Sequence, residues 1–223
     1  MVGQAIITFF RNIIDDQPDA DLEIDLLNHA KDVVEGMRDW EILKKLNTSL
    51  SASPSDTYTT AKGLPSDFLR PVTVYVGDQE HEGVPFEHRE LYKSSGLRYY
   101  IDYLNNNLYV IGAPGSTQAI NLFYIHKTTD WTSNNLSSLS PVWPSKYHKV
   151  LAFIMSELHG GGIDVDQIQA GQIPMRNKHG ELLLNGMISW DSKLKLSAMA
   201  KSASPRRTVF ADDPDIINED VLI

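Results

Sequence analysis

The chain has 223 residues, of which 42% are hydrophobic and 22% charged, a composition that excludes a largely disordered protein. It contains no cysteine, which excludes disulfides and thiolate metal sites. Its net charge of −9 argues against a surface that coats nucleic acid, because neutralising phosphates requires clustered lysine and arginine. No secretory signal pattern or membrane-length apolar run is found, so we expect a soluble protein made in the cytoplasm.

The first part of the chain has helical periodicity. We expect residues 4–14 to form a short helix and Asp19 or Asp21 to cap a second one. The second helix has one apolar face, and Lys31 falls outside that face. The apolar face comprises Leu26, Ala30, Val33, Val34 and Met37.

The pattern changes to β-structure between residues 48 and 140. Residues 72–76 alternate valine with other side chains, which predicts a strand with one face inward. Residues 98–104 and 108–111 are predicted strands joined by an asparagine turn. Residues 120–125 are apolar on both faces, which is typical of a central strand. We therefore expect four to six antiparallel strands in a small sheet or barrel.

Helical periodicity resumes after Pro144. Apolar residues from Tyr147 to Leu158 follow the helical repeat without interruption, and residues 160–162 are three glycines that end the helix. A further helix is expected to start near Asp164 and to resume over residues 181–199. The last residues lack a core pattern.

These elements predict an α+β fold: a helical bundle with an inserted antiparallel β module and an extended C-terminal arm. Residues 1–47 and 141–201 would form the helical bundle core, and residues 48–140 the β-rich insertion. Residues 202–223 would form the arm.

The sequence contains no catalytic or cofactor constellation, and we expect neither an enzyme nor a bound metal. The polar segment around His81 and His88 has no metal-ligand spacing, and Arg89 places a positive charge among the candidate ligands. The glycines after His159 resemble an esterase oxyanion loop, but no G-x-S-x-G motif supplies a nucleophile. A metal-dependent hydrolase using His81 and His88 stays as a distant alternative.

Tyrosines crowd one half of the predicted insertion. Aromatic side chains dominate protein interfaces, because they bury much area at low entropic cost. Such residues can equally cover a thin core, or form a ligand platform. The candidate interface residues are Tyr92, Tyr99, Tyr100 and Tyr103.

The C-terminus is polarised in charge. From Lys193 to Arg207 there are five basic residues and no acid, and from Ala211 to Ile223 five acids and no base. This pattern suggests docking on complementary surfaces, although a solvated, frayed tail is the alternative. Apolar residues on an arm without a core are expected to anchor on a partner. The candidate anchor residues are Arg206, Arg207, Val209, Phe210, Ile216, Ile217, Val221, Leu222 and Ile223.

The order of these signals resembles the head-to-tail adaptor, or neck connector, proteins of tailed bacteriophages, over about residues 20–165. Each motif is weak alone, and their order carries the resemblance. The motifs are Leu27-Asn28-His29-Ala30, Asp39-Trp40-Glu41-Ile42-Leu43, Gly63-Leu64-Pro65-Ser66-Asp67-Phe68-Leu69, Leu108-Tyr109-Val110-Ile111 with Pro114, Leu122-Phe123-Tyr124-Ile125, and the helix of residues 144–160.

The resemblance implies a structural virion protein in the neck, assembled in the host cytoplasm without a membrane partner. It implies a ring of about twelve copies beneath the portal protein, with the arm reaching the portal or a neighbouring subunit. A tail or nozzle protein would bind below, and DNA would pass nonspecifically through the channel. The alternative is another tail or fibre-attachment protein whose tyrosine-rich β module binds a protein or glycan.

Overall fold

The computed structural model of the protein describes residues 1–161 and 175–202. Two predictions lie outside the described residues: the helix start near Asp164 and nearly all of the C-terminal arm. The described residues combine helices with one sheet, so the predicted α+β class is confirmed.

Four helices of the described residues form what is called here the helical layer. They are α1 (Gly3–Ile14), α2 (Ala20–Gly36), α3 (Lys149–His159) and α4 (Lys178–Ser202). Asp19 caps α2, because its side chain accepts a hydrogen bond from the Asp21 amide at 2.9 Å. All four helices were predicted from periodicity, and the structure confirms them.

Helices α1 and α3 run side by side in the same direction. The Met1 amine lies 2.7 Å from Nδ1 of His148, at the start of α3. At the other end, the Phe10 ring packs edge-on against His159, with ring centroids 6.0 Å apart. Both helices therefore end at the same end of the helical layer.

Helices α2 and α4 run in the opposite direction. Near the start of α2, Glu23 pairs with Arg11 of α1 at 2.5 Å. A Cβ on Gly180, near the start of α4, would meet Phe153 in the middle of α3. Further along α4, the Trp190 ring lies 6.2 Å from that of Tyr147, just before α3.

Seven strands form a single sheet in the order β1-β7-β3-β4-β5-β6-β2. β7 is flanked by β1 and β3, as the two-sided apolar pattern of residues 120–125 predicted. The edge strands β1 and β2 also touch, so the sheet curls toward a barrel. The strands are β1 (Lys44–Ala52), β2 (Lys62–Gly63), β3 (Phe68–Val76), β4 (Gln79–Gly83), β5 (Arg98–Asp102), β6 (Asn107–Ile111) and β7 (Gln118–His126).

The prediction of a purely antiparallel β module is wrong at one place. Strands β4 and β5 are parallel, with Glu82 opposite Arg98 and Gly83 opposite Tyr99. The chain between them contains a 3-10 helix, Phe86–Tyr92, which carries it back so that both strands point the same way. The segment we expected to be a polar excursion therefore contributes both a strand and a crossover.

The helical layer and the sheet have separate buried clusters. The helical cluster is built around Phe10, Leu27, Trp40 and Ile154. The main sheet cluster contains Val74, Leu108, Ile120 and Leu122. A third, smaller cluster joins Val84, Tyr100 and Ile111 on the other face of β5 and β6.

Candidate interaction surfaces

Two of the four candidate interface tyrosines are buried inside the subunit. Tyr99 lies in the main sheet cluster. Tyr100 stacks on Tyr109 at a centroid distance of 4.6 Å and donates its hydroxyl to the Tyr58 carbonyl at 2.7 Å. Burial raises the pKa of Tyr100 to about 12. These two side chains chiefly stabilise the sheet, and only Tyr99 also reaches the wall of a surface cleft.

The other two candidate tyrosines retain surface. The Tyr92 ring is half-buried beneath the Arg98 guanidinium, 4.6 Å from its centroid. Tyr103 is 63% exposed, and Leu104 beside it is 93% exposed, at the turn between β5 and β6. Leu104 was not among the predicted residues; its position next to the Asn105-Asn106-Asn107 turn was the available signal.

The hairpin tip adjoins a mostly apolar cleft. The cleft has a volume of about 350 Å³, and Tyr103 forms part of its wall. The rest of the wall includes Pro71, Val84, Phe86, Tyr99 and Ile101. An exposed leucine and tyrosine beside an apolar recess make this tip a candidate protein contact.

The histidines of the rejected metal site have different surroundings. His81 is buried, and burial lowers its pKa, whereas His88 is exposed. His81 lines a cleft of about 580 Å³ between the β3–β4 and β6–β7 turns, together with Asp78 and Gln118. Within residues 1–161 and 175–202, no group of three or more His, Cys, Asp or Glu side chains could hold a metal ion.

A buried ionic cluster fastens α2 to the segment that follows β7. Lys31, expected outside the apolar face, is fully buried instead, pairs with Asp130 and donates to the Thr128 carbonyl at 3.1 Å. The Thr128 amide and hydroxyl both donate to the buried Glu35 carboxylate. Burial raises the pKa of Glu35, although the bonds from Thr128 and the charge of Lys31 oppose that shift. The segment at Thr128 covers the face of α2 that carries Lys31 and Glu35, which explains why both side chains are buried.

Another buried acid ties α4 to the turn after α2. Asp191 Oδ1 accepts a hydrogen bond from the Glu41 amide at 2.8 Å. Its Oδ2 lies 3.2 Å from Arg38 Nη2, but outside hydrogen-bonding geometry. Burial raises the pKa of this carboxyl. The contact fixes α4 at the end of α2, and Asp191 is the last buried residue of α4 whose side chain is described.

Beyond Asp191, helix α4 leaves the body of the subunit. Residues 193–197 are all exposed, including two leucines. The predicted anchor residues of the arm, from Arg206 to Ile223, lie outside the described residues. None of the described helices is long and apolar enough to cross a membrane.

Comparison with protein families identifies the family of this chain. The model of the family described as SU10 adaptor protein matches residues 3–167, which include α1 to α3 and all seven strands. No curated protein matches the chain. The family match confirms the predicted resemblance to phage head-to-tail adaptors.

Proposed function

The chain belongs to the SU10 adaptor protein family, a family of phage head-to-tail adaptors, and from this premise we propose that it forms a ring beneath the portal. The ring, of about twelve copies, joins the capsid to the tail in the neck of the virion. A tail or nozzle protein binds its lower side, and DNA passes through its channel during ejection.

The observation that carries this proposal is the extent of the family match. It covers residues 3–167, which is most of the helical layer and the whole sheet. Such a match concerns the entire fold and does not depend on one motif. The chain's acidity suits a conduit, because a strongly basic wall would hold the DNA phosphates.

In this proposal, the segment after α4 is the portal-binding arm. Helix α4 leaves the subunit body after Asp191, which supports an arm that begins at the end of this helix. The arm, residues 202–223, places apolar anchors such as Phe210 and Ile223 on the portal or a neighbouring subunit. Residues 1–47 and 141–201 act as the helical core, and residues 48–140 as an inserted β module.

Portal docking by the full chain tests the proposal. The purified protein is mixed with the portal of the same phage, and the product is examined by co-sedimentation and electron microscopy. We expect a ring on the portal, whether or not the free protein forms one. Absence of any complex contradicts the proposal.

A truncation distinguishes this function from the alternative, a tail or fibre-attachment protein that binds through its β module. Removal of residues 202–223 should abolish portal docking if the arm is the anchor. The matched variant Leu104→Ser changes only the exposed hairpin tip and should leave docking intact. If the truncated protein still docks and the Leu104→Ser variant does not, the result supports the alternative function.

A further inference from the structure

We propose that the end of α4 in one copy binds the corner between α1 and α2 of the next copy. The basic end of α4 is defined here as residues 192–202, and the acidic corner as residues 15–25. This inference rests on the ring of the proposed function and names the surfaces by which its subunits touch.

The basic end of α4 has an apolar stripe without a partner in its own subunit. Leu184, Met187 and Asp191 are buried and lie on one face of the helix, three to four residues apart. Leu194 continues the same face one step further, yet it is 37% exposed. The face of α4 that packs on the core up to Asp191 therefore continues to Leu194, where no part of the described core covers it.

Side chains on every side of α4 are exposed over residues 193–197. Residues 193–197 span more than one turn, so every side of α4 meets solvent there. Leu196, on another side than Leu194, is 65% exposed. Leaving apolar area in water costs about 25 cal/mol per Å², which a packing partner would recover.

Charge identifies the partner as a second copy. Residues 192–202 contain Lys193, Lys195 and Lys201 and no acid. The acidic corner carries exposed aspartates around Leu22, which is itself 45% exposed. Within the described parts of the chain, neither these aspartates nor Lys193 and Lys195 form an ion pair. The aspartates are Asp15, Asp16, Asp19, Asp21 and Asp25.

The two surfaces cannot meet within one subunit. The acidic corner lies where α1 ends and α2 begins, at the same end of the helical layer as His159. Helix α4 runs away from that end and passes Tyr147 and Glu41 before its exposed residues. The part of α2 between Asp25 and Gly36 alone separates the two surfaces by about 16 Å, and the exposed residues of α4 lie beyond that end.

Complementary surfaces at opposite ends of a subunit give a head-to-tail contact. Such a contact joins identical copies into a closed ring when the rotation closes. The basic, leucine-bearing helix of one copy would lie on the acidic, leucine-bearing corner of its neighbour. Each copy then uses both surfaces once.

Charge reversal with mixing tests the contact. Full-length K193E/K195E reverses the basic end of α4, and full-length D16K/D21K/D25K reverses the acidic corner. In sedimentation with the portal present, each variant alone should assemble at least about tenfold more weakly than wild type, because like charges then face each other. An equimolar mixture should recover association, because both contacts between unlike variants are again complementary. The control K93E/K178E makes the same charge change as K193E/K195E at exposed positions elsewhere and should associate like wild type.

Zero-length lysine–carboxylate crosslinking locates the contact directly. Copies labelled with light and heavy nitrogen are mixed, crosslinked free and on the portal, and digested for mass spectrometry. Isotope-mixed crosslinks between Lys193 or Lys195 and residues 15–25 support the proposal. It is overturned if these crosslinks are missing in both samples, if they map to the acids of residues 211–220, or if mixing restores nothing. Portal co-sedimentation of the wild type reports separately on the proposed function.

Discussion

The helical layer and the sheet bury different chemistry. The helical layer encloses the charged groups Glu23, Lys31, Glu35 and Asp191, and each makes a contact with another segment of the chain. The main sheet cluster is built from aliphatic and tyrosine side chains. In the helical layer, directional ionic contacts add to a large buried apolar cluster, whereas the main sheet cluster relies on buried area alone. Removing one member of a buried ionic contact is therefore more damaging than trimming a sheet residue at the surface.

The pKa values of acidic side chains also shift in opposite directions in the two regions. Burial raises the pKa of Glu35 and of Asp191 in the helical layer. In the loop between β1 and β2, the hydrogen bond from Lys62, at 2.7 Å, lowers the pKa of Asp56, with a further bond from Ser53. Ionisation therefore weakens the first region and strengthens the second.

The largest expected effect comes from Lys31. Lys31→Met keeps most of the apolar length of the side chain but removes the buried cation that bonds Asp130 and the Thr128 carbonyl, so the free energy of unfolding should fall by about 1–3 kcal/mol. Urea unfolding followed by circular dichroism measures it. The control is Lys93→Met, whose surface contact with Glu90 is 3.9 Å long, and it should change stability by less than about 0.5 kcal/mol. Equal effects of the two substitutions would contradict the comparison.

A smaller, pH-dependent effect is expected at Glu35. Its folded pKa is raised above the ordinary value of 4.5, so the folded state binds this proton more tightly than the unfolded state. Relative to Glu35→Gln, the wild type should lose stability as pH rises from about 4.5 through the raised folded pKa. Urea midpoints of both proteins between about pH 4 and about pH 8 check this.

Asp56 provides the control of opposite sign for that titration. Its folded pKa lies below the ordinary value of 3.8. Relative to Asp56→Asn, the wild type should be stabilised above that value and lose the advantage as pH falls through the lowered pKa. If the stability difference between wild type and variant changed with pH in the same direction for Glu35→Gln and Asp56→Asn, the opposite pKa shifts would be refuted.

The smallest effect is expected at the hairpin tip. Leu104 is 93% exposed, so Leu104→Ser should change the free energy of unfolding by less than about 0.5 kcal/mol. Thermal unfolding of the two proteins measures the difference. A loss above about 2 kcal/mol would mean that this leucine is covered within the subunit.

Periodic burial made much of the fold predictable. Helix α3 has one continuous apolar stripe, and β7 has apolar residues on both faces, so both were identified from the sequence. Strand β4 was missed because, of its five residues, only His81 is buried. Its parallel pairing with β5 was missed for the same reason, since the crossover lies in a polar segment without a repeat.

The candidate surfaces were less predictable, because burial on a second face depends on distant segments. Lys31 was assigned outside the core, but Asp130, about a hundred residues later, covers it. Tyr99 and Tyr100 point to opposite faces of β5, and both faces are covered, one by the main sheet cluster and one by Val84 and Ile111. The exposed leucines of α4 could not be recognised from the sequence, because the helical pattern does not reveal where the subunit body ends.

The position of α3 in the chain has a consequence for biosynthesis. Helices α1 and α2 are complete by Gly36, yet α3, on which both pack, ends only at His159. At about 5–20 residues per second, a ribosome needs about 6–25 seconds to add the intervening stretch. During that interval the nascent chain displays the apolar faces of two finished helices, which makes them natural binding sites for host chaperones.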